Sequence, residues 1–261
     1  MRTTLEAASE RAAQLETELK RTQATLAQSW ALTQRMLRPD APPDLPNVEI
    51  AADHQPADGV GSDAWGWVMQ PSGRLACFMS DVAGRGMTAA LAALTLHTAI
   101  KMALRLGVTP SETLRSINAE VYPHYTDAML LATAAVFTID GTTGAVEHAS
   151  AGHPPTLLRL KGTWQRWPAT VPPLGVQPEI TPETQTATLA PHDFVIVHSN
   201  GLADDLRNAV PTHIVDELQP AAAQAVAVAV AAAAKQQRGG HPPTDDQTLL
   251  VAHVIRSFGS A

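Results

Sequence analysis

The chain has 261 residues, 45% of them hydrophobic, with 18 Lys+Arg against 25 Asp+Glu and a formal net charge of -7. That length and apolar content suffice for one large domain or a domain with an appendage, and the acidic balance argues against a nucleic-acid or anionic-membrane surface. The single cysteine, Cys77, excludes an internal disulfide framework and fits a reducing compartment. It lies inside the apolar run Leu75 to Met79 and reads as a buried core thiol. The N-terminus is charged and no window reads as a membrane span or a signal segment, so a cytoplasmic protein is expected.

Residues 3 to 37 contain neither Gly nor Pro and place Leu5, Ala8, Ala12, Leu15, Leu19, Thr22, Leu26, Ser29, Thr33 and Met36 at alternating spacings of three and four. The pattern predicts one long helix with a weak coiled-coil seam, its polar members making a poor dimer core. The proline-rich segment Arg38 to Pro46 stops it, since proline cannot continue a helix and biases its predecessor toward extended structure. The expected division is a helical linker over 1–38, a connector over 39–47 and a main domain over 48–258.

Beyond the connector, short apolar runs separated by Gly, Pro and Asp turns predict strands at Val48 to Ala52, Ala64 to Met69, Leu75 to Met79, Leu131 to Ile139 and Ala145 to Ala151. Further strands are predicted at Thr156 to Leu160, Gln185 to Leu189, Phe194 to His198 and Gln247 to Ile255. Met87 to Leu106 and Pro110 to Tyr122 read as paired helices, and Pro220 to Gln237 as a third that ends at Gly239-Gly240. Runs of strands followed by paired helices indicate α+β layers rather than alternating βαβ units.

The chemistry-bearing residues are acids at predicted strand ends: Asp63, Asp81 ahead of the turn Val82-Ala83-Gly84-Arg85-Gly86, and Asp245-Asp246 before the last strand. Hard divalent cations want several oxygen ligands, and a shared carboxylate can bridge two of them, a role for which Asp81 is placed. Taken singly, each Asp is a turn former or helix cap by default. The histidines His97, His124, His148, His192, His198, His213 and His241 show no zinc-ligand spacing, and His153 before Pro154-Pro155 reads as a hydrogen-bonded structural residue. Trp65, Trp67, Trp164 and Trp167 alternate along strand-like runs and read as packing residues.

The order of the motifs resembles the SpoIIE-like branch of the protein phosphatase 2C (PPM) superfamily, across Val48 to Val254. Gln55-Pro56-Ala57 with Val60-Gly61-Ser62-Asp63 is similar to the family's Q-P-A…V-G-G-D. Asp81-Val82-Ala83-Gly84-Arg85-Gly86-Met87 with Ala89-Ala90-Leu91 is similar to D-V-S-G-[HK]-G…A-A-L. Ala151-Gly152-His153-Pro154-Pro155 and Pro173-Leu174-Gly175-Val176 follow, then His198-Ser199-Asn200-Gly201-Leu202 in the place of Y-[ST]-D-G, and Asp245-Asp246-Gln247-Thr248-Leu249-Leu250 for D-D-x-T-L-L. The helix ending in Met36-Leu37-Arg38-Pro39 is similar to linkers that join such domains to an upstream sensor or receiver, and the resemblance implies the output domain of a bacterial response regulator or sensor protein.

The resemblance implies an α-β-β-α sandwich of two antiparallel sheets and Mn²⁺- or Mg²⁺-dependent hydrolysis of phosphoserine or phosphothreonine on a STAS-type anti-sigma-factor antagonist. It implies that Asp63, Asp81 and the Val82 carbonyl hold one ion, that Asp81, Asn200 and Asp245 hold the other, and that water bridging the two ions is the nucleophile. Asp63 and Asp81 are the expected catalytic acids, with Asp204, Asp246 and Arg85 as accessories, Arg85 facing either phosphate or solvent. A homodimer through residues 3–37 is expected, with no nucleic-acid or membrane partner. Asn200 departs from the family's aspartate: an amide offers an oxygen but removes one negative charge, so the second ion is expected to bind more weakly. The alternative implied is a pseudophosphatase adaptor that binds a sigma factor or sigma regulator without catalysis.

Overall fold

The computed structural model describes residues 2–57, 59, 61–207, 210–218 and 222–258, with side chains from residue 10 onward. Val60, Pro220 and Ala221, and the side chains of Leu5 and Ala8, therefore lie outside the described residues. Among the described residues, ten strands form two five-stranded antiparallel sheets. One sheet has the order β1(Val48–Gln55), β10(Gln247–Val254), β9(Phe194–His198), β6(Thr156–Leu160), β7(Thr163–Trp167). The other runs β2(Asp63–Met69), β3(Arg74–Val82), β4(Ala132–Asp140), β5(Ala145–Ala151), β8(Gln185–Thr188).

Strand alternation explains why the central strands read as continuous apolar runs. In β3, Leu75, Cys77 and Met79 point between the sheets and meet Leu250, Ala252 and Val254 of β10 in one cluster. The intervening Ala76, Phe78 and Val82 point outward onto α2(Gly86–Arg105) and α3(Pro110–Ala128). On the other sheet Phe194, Ile196, Leu249 and Val251 face α6(Ala223–Gln237) and the short α4(Asn200–Asp205) and α5(Thr212–Glu217). Each central strand is thus apolar on both faces, with period-2 side chains serving two cores. This is the PPM-type α+β sandwich.

Local chemistry sets the helix ends. Thr109 accepts from the Glu112 amide and donates to the Glu112 carboxylate, with Pro110 in the first turn, so α3 starts on a reciprocal cap. It continues through Pro123 to Ala128, beyond the predicted stop at Tyr122, because burial of Val121 and Tyr125 offsets the backbone bond that proline removes. The six-residue α4 and α5 are too short to show a helical period, and the exposed edge strand β7 has little apolar content to read. Contrary to the sequence reading, α2 is apolar and long enough to cross a membrane by composition, with a mean hydropathy of 1.4. It is a core helix: Ala89, Ala90, Ala93, Leu96, Ile100 and Leu104 are all buried.

The long helix α1(Arg2–Leu37) joins the body only near its end, where Thr33 and Leu37 are buried and Trp30 packs on the α2 core. The strap that follows is tied down by Asp40, which pairs with Lys101 at 2.8 Å and Arg105 at 3.0 Å, and by Ala41, whose carbonyl accepts from Trp67 Nε1 at 3.2 Å.

Gly152 of the Ala-Gly-His-Pro-Pro motif has φ +60, and a Cβ there would stand 2.4 Å from Pro173 Cγ and 2.7 Å from its backbone nitrogen. Gly152→Ala is therefore expected to cost more than the roughly 1–2 kcal/mol of a left-handed non-glycine residue, read as a lowered urea midpoint with unchanged slope.

Candidate active site

β2 and β3 pair so that Asp63 lies directly opposite Asp81. Asp63 opens β2, whereas Asp81 is inside β3 rather than beyond it, since β3 extends to Val82. The β3–α2 turn is held by Val82 N donating to Ser62 O at 3.3 Å and Ala83 N to Leu131 O at 2.9 Å. Gly84 and Gly86 adopt φ +130 and +72, values that require glycine in this turn.

Electrostatics mark this cluster. Burial, then the charges of Asp245 and Asp246, push the Asp81 carboxyl up to about 6. Burial, then the charge of Asp81, holds Asp63 well above the ordinary carboxylate range, against the hydrogen bond from Thr248. Asp63 Oδ1 is buried without a partner. Two facing carboxylates and an orphaned oxygen suit a hard cation, which would relieve the repulsion that raises both groups. Among the described residues no group of three or more His, Cys, Asp or Glu side chains is gathered at metal-binding geometry.

The two acids before β10 have different surroundings. Asp245 is partly exposed and accepts from the Asp246 amide at 2.9 Å. Asp246 is buried and its carboxylate accepts from Ala57 N at 2.8 Å, from both the amide and the hydroxyl of Ser62, and from Asp63 N at 3.3 Å. Asp246 therefore clasps the loop that delivers Asp63. Gly61 is needed by close approach, because a Cβ there would stand 2.5 Å from Asp246 Oδ2. Ser62, in the second-glycine position, is not among the residues with positive φ and supplies a hydroxyl to the clasp.

Asn200 is exposed at the start of α4, and its neighbour Gly201 packs so tightly on the Asp245-Asp246 backbone that a Cβ would meet Asp246 O at 2.4 Å. That contact draws α4 to the acid pair. Asp204 is exposed, while the adjacent Asp205 is bound to Arg238 and Gln247. Arg85 is exposed at the cleft, donates through Nη2 to Thr244 O at 2.7 Å and braces the β3–α2 turn against the 243–246 loop. These loops enclose a polar cleft of about 360 Å³ lined by Ser62, Gly84, Arg85, Thr244, Asp245 and Asp246.

The sequence reading missed Asp205 and Ser199; Ser199 Oγ donates to Asp246 O at 3.0 Å and accepts from Thr248 N at 2.9 Å. It also passed over His54 and the hydroxyl of Thr248. The only signal for His54 was its place beside Gln55-Pro56-Ala57.

Residues 71–255 match the family model described as stage II sporulation protein E (SpoIIE). The chain belongs to the SpoIIE family. A curated relative, phosphoserine phosphatase RsbP of Bacillus subtilis (strain 168), is 19% identical over 211 residues, covering 79% of this chain and 52% of the relative. The chain thus spans about half the length of that relative. The SiaA-PP2C domain of Pseudomonas aeruginosa matches 90% of this chain and 98% of its own with TM-score 0.69 and 19% identity. RsbX, solved in complex with magnesium, matches 81% of this chain and 98% of its own with TM-score 0.64 and 16% identity. These likenesses confirm the PPM fold for the SpoIIE-family domain.

The raised pKa of Asp81 has a sign. Both folded and unfolded forms are protonated well below pH 4, so the group costs nothing there. Between the unfolded value of 3.8 and the folded value of about 6 the cost of ionising it in place grows, and above 6 it is complete. In a chelator, Asp81→Asn is expected to raise the melting temperature at pH 7.5, by about 2–4 °C per kcal/mol relieved, with the gain shrinking as pH falls from 6 to 4.

Proposed function

We propose that this SpoIIE-family domain is a metal-dependent serine/threonine protein phosphatase acting on a phosphorylated STAS-type anti-sigma-factor antagonist in bacterial partner-switching signalling. The observation that carries the reading is the Asp63–Asp81 pair, Asp63 buried and Asp81 half-buried, with Asp63 Oδ1 unpartnered and the neighbouring Ser62 lining a polar cleft. Asp63, Asp81 and the Val82 carbonyl would hold one Mn²⁺ or Mg²⁺, and Asp81, Asn200 and Asp245 the other. Such ions supply Lewis acidity toward a phosphate ester and lower the pKa of water. The chain's own part is positional. Asp246 holds the Asp63 loop, Arg85 holds the turn after Asp81 against the 243–246 loop, and Gly201 packs the start of α4 against Asp245 and Asp246.

The named chemistry of RsbP supports the phosphoserine class, and the magnesium in RsbX supports the cofactor class. We further read α1 as a cytoplasmic dimerising linker to an upstream sensory or receiver module. Leu15, Leu19 and Leu26 are 50%, 57% and 42% exposed along one stripe, a row of apolar side chains a second copy would cover. Leu19→Lys with Leu26→Lys is expected to halve the mass seen by light scattering while the melting temperature of the sandwich stays unchanged.

A second reading is favoured by Asn200 together with the absence, among the described residues, of three gathered His, Cys, Asp or Glu side chains: a pseudophosphatase that keeps the surface and binds a sigma factor or sigma regulator as an adaptor. Hydrolysis of an aryl phosphate with Mn²⁺ or Mg²⁺ separates the two, with intact mass measured to exclude deamidation at Asn200-Gly201. The phosphatase reading expects turnover that falls at least ~100-fold in Asp81→Asn and rises in Asn200→Asp. A silent native chain that gains activity in Asn200→Asp establishes the adaptor reading. Silence in both, extended to a phosphorylated STAS protein, overturns the enzyme.

A further inference from the structure

We infer that His54 and Thr248 are positioning residues for Asp63: a relay from His54 through the Thr248 hydroxyl holds one carboxylate oxygen and leaves the other aimed at a cation. The inference rests on the phosphatase reading, in which Asp63 is a ligand.

Asp63 belongs to the β2–β3 sheet and Thr248 to the β1–β10 sheet, so the bond from Thr248 Oγ1 to Asp63 Oδ2 crosses the sandwich. Nothing in the Asp63 backbone selects which oxygen faces the site, because the terminal torsion of aspartate is broad and nearly two-fold. Engaging Oδ2 makes the choice, and Oδ1 is the oxygen left buried and unpartnered. A carboxylate that holds a cation is ionised and only accepts, while a threonine hydroxyl carries one hydrogen. With that hydrogen given to Asp63, Thr248 Oγ1 must accept its second bond, and His54 Nδ1 lies 2.9 Å away to donate it.

The far end of the relay is itself fixed. His54 stands directly opposite Thr248 in the β1–β10 register, and its ring meets Trp65 edge-on, at a centroid distance of 5.2 Å and 66°. Burial lowers its affinity for a second proton, so a neutral ring with hydrogen on Nδ1 is the form the relay needs. Thr248 is anchored independently through its amide on Ser199 Oγ. His54 also borders a cavity of about 460 Å³ that reaches Gln34, Leu37 and Arg38 at the end of α1. The supporting groups of a metal ligand commonly matter ~10–100-fold in affinity.

The test uses the whole chain, with Mn²⁺ titrated by electron paramagnetic resonance and the His54 ring nitrogens followed by ¹⁵N NMR with and without Mg²⁺. Thr248→Val, which keeps the shape and removes the hydroxyl, is expected to weaken Mn²⁺ binding ~10–100-fold and to remove the hydrogen bond at His54 Nδ1. Thr248→Ser is expected to restore both, and His54→Phe to weaken binding in the same direction. Should Thr248→Val fail to fold, the serine and phenylalanine variants carry the comparison. Mn²⁺ affinity in Thr248→Val equal to that of the native chain overturns the inference and leaves the phosphatase reading standing. A native chain that binds no Mn²⁺ overturns the phosphatase reading instead. The ring nitrogens then judge the relay alone: a bonded Nδ1 lost in Thr248→Val upholds it, and an unchanged ring overturns it.

Discussion

Four acids crowd one end of the sandwich, and like charges brought together under burial must be neutralised, hydrogen-bonded or matched by a cation. Asp246 is matched by the amides of Ala57, Ser62 and Asp63. Asp63 and Asp81 face each other and remain raised in pKa, with Asp63 Oδ1 unpartnered. The rest of the site is arranged around that difference, because the satisfied acid shapes the loop on which the unsatisfied one sits. Neighbouring acids in the chain, Asp245 and Asp246, thus take different work: one partly exposed at the cleft, the other a buried clasp.

The cleft is assembled from segments far apart in sequence. The 57–63 loop, the β3–α2 turn, the start of α4 and the 243–246 loop meet through Asp246, Arg85 and Gly201. Two of these contacts demand the absence of a side chain rather than the presence of one. Glycine at 61 and 201 lets backbone approach backbone and carboxylate closely enough for the acids to converge. Asn200 stands exposed at the start of α4, where its side chain offers an amide oxygen but no negative charge.

The last turns of α1 lie at this end of the molecule. Its last turns are buried against the α2 core while its middle exposes leucines, and the strap after it crosses the sandwich edge held by Lys101, Arg105 and Trp67. The cavity below that strap is walled on one side by Asp63. The end of the helix and the loop that carries a candidate ligand thus border one cavity.

Much of the fold was legible in the chain, because strands apolar on both faces and an Ala-rich core helix announce themselves through composition. The strands β5, β6 and β9 lie where their apolar runs predicted them. The end of α3 was not legible, since Pro123 is a local stop signal that burial of Val121 and Tyr125 overrides, and α4 and α5 are too short to carry a period. The acids were visible as motifs, but a motif shows residue type and spacing, not which oxygen meets which donor. The sequence by itself determined the family, the sandwich and the identity of the candidate ligands, because these rest on patterns local to each segment. Only the tertiary structure decided that Asp246 is a clasp, that Arg85 braces a carbonyl and that Thr248 reaches Asp63. Those are contacts across more than a hundred and fifty residues and, for Thr248, between two sheets, and chain closure rather than local propensity brings such partners together.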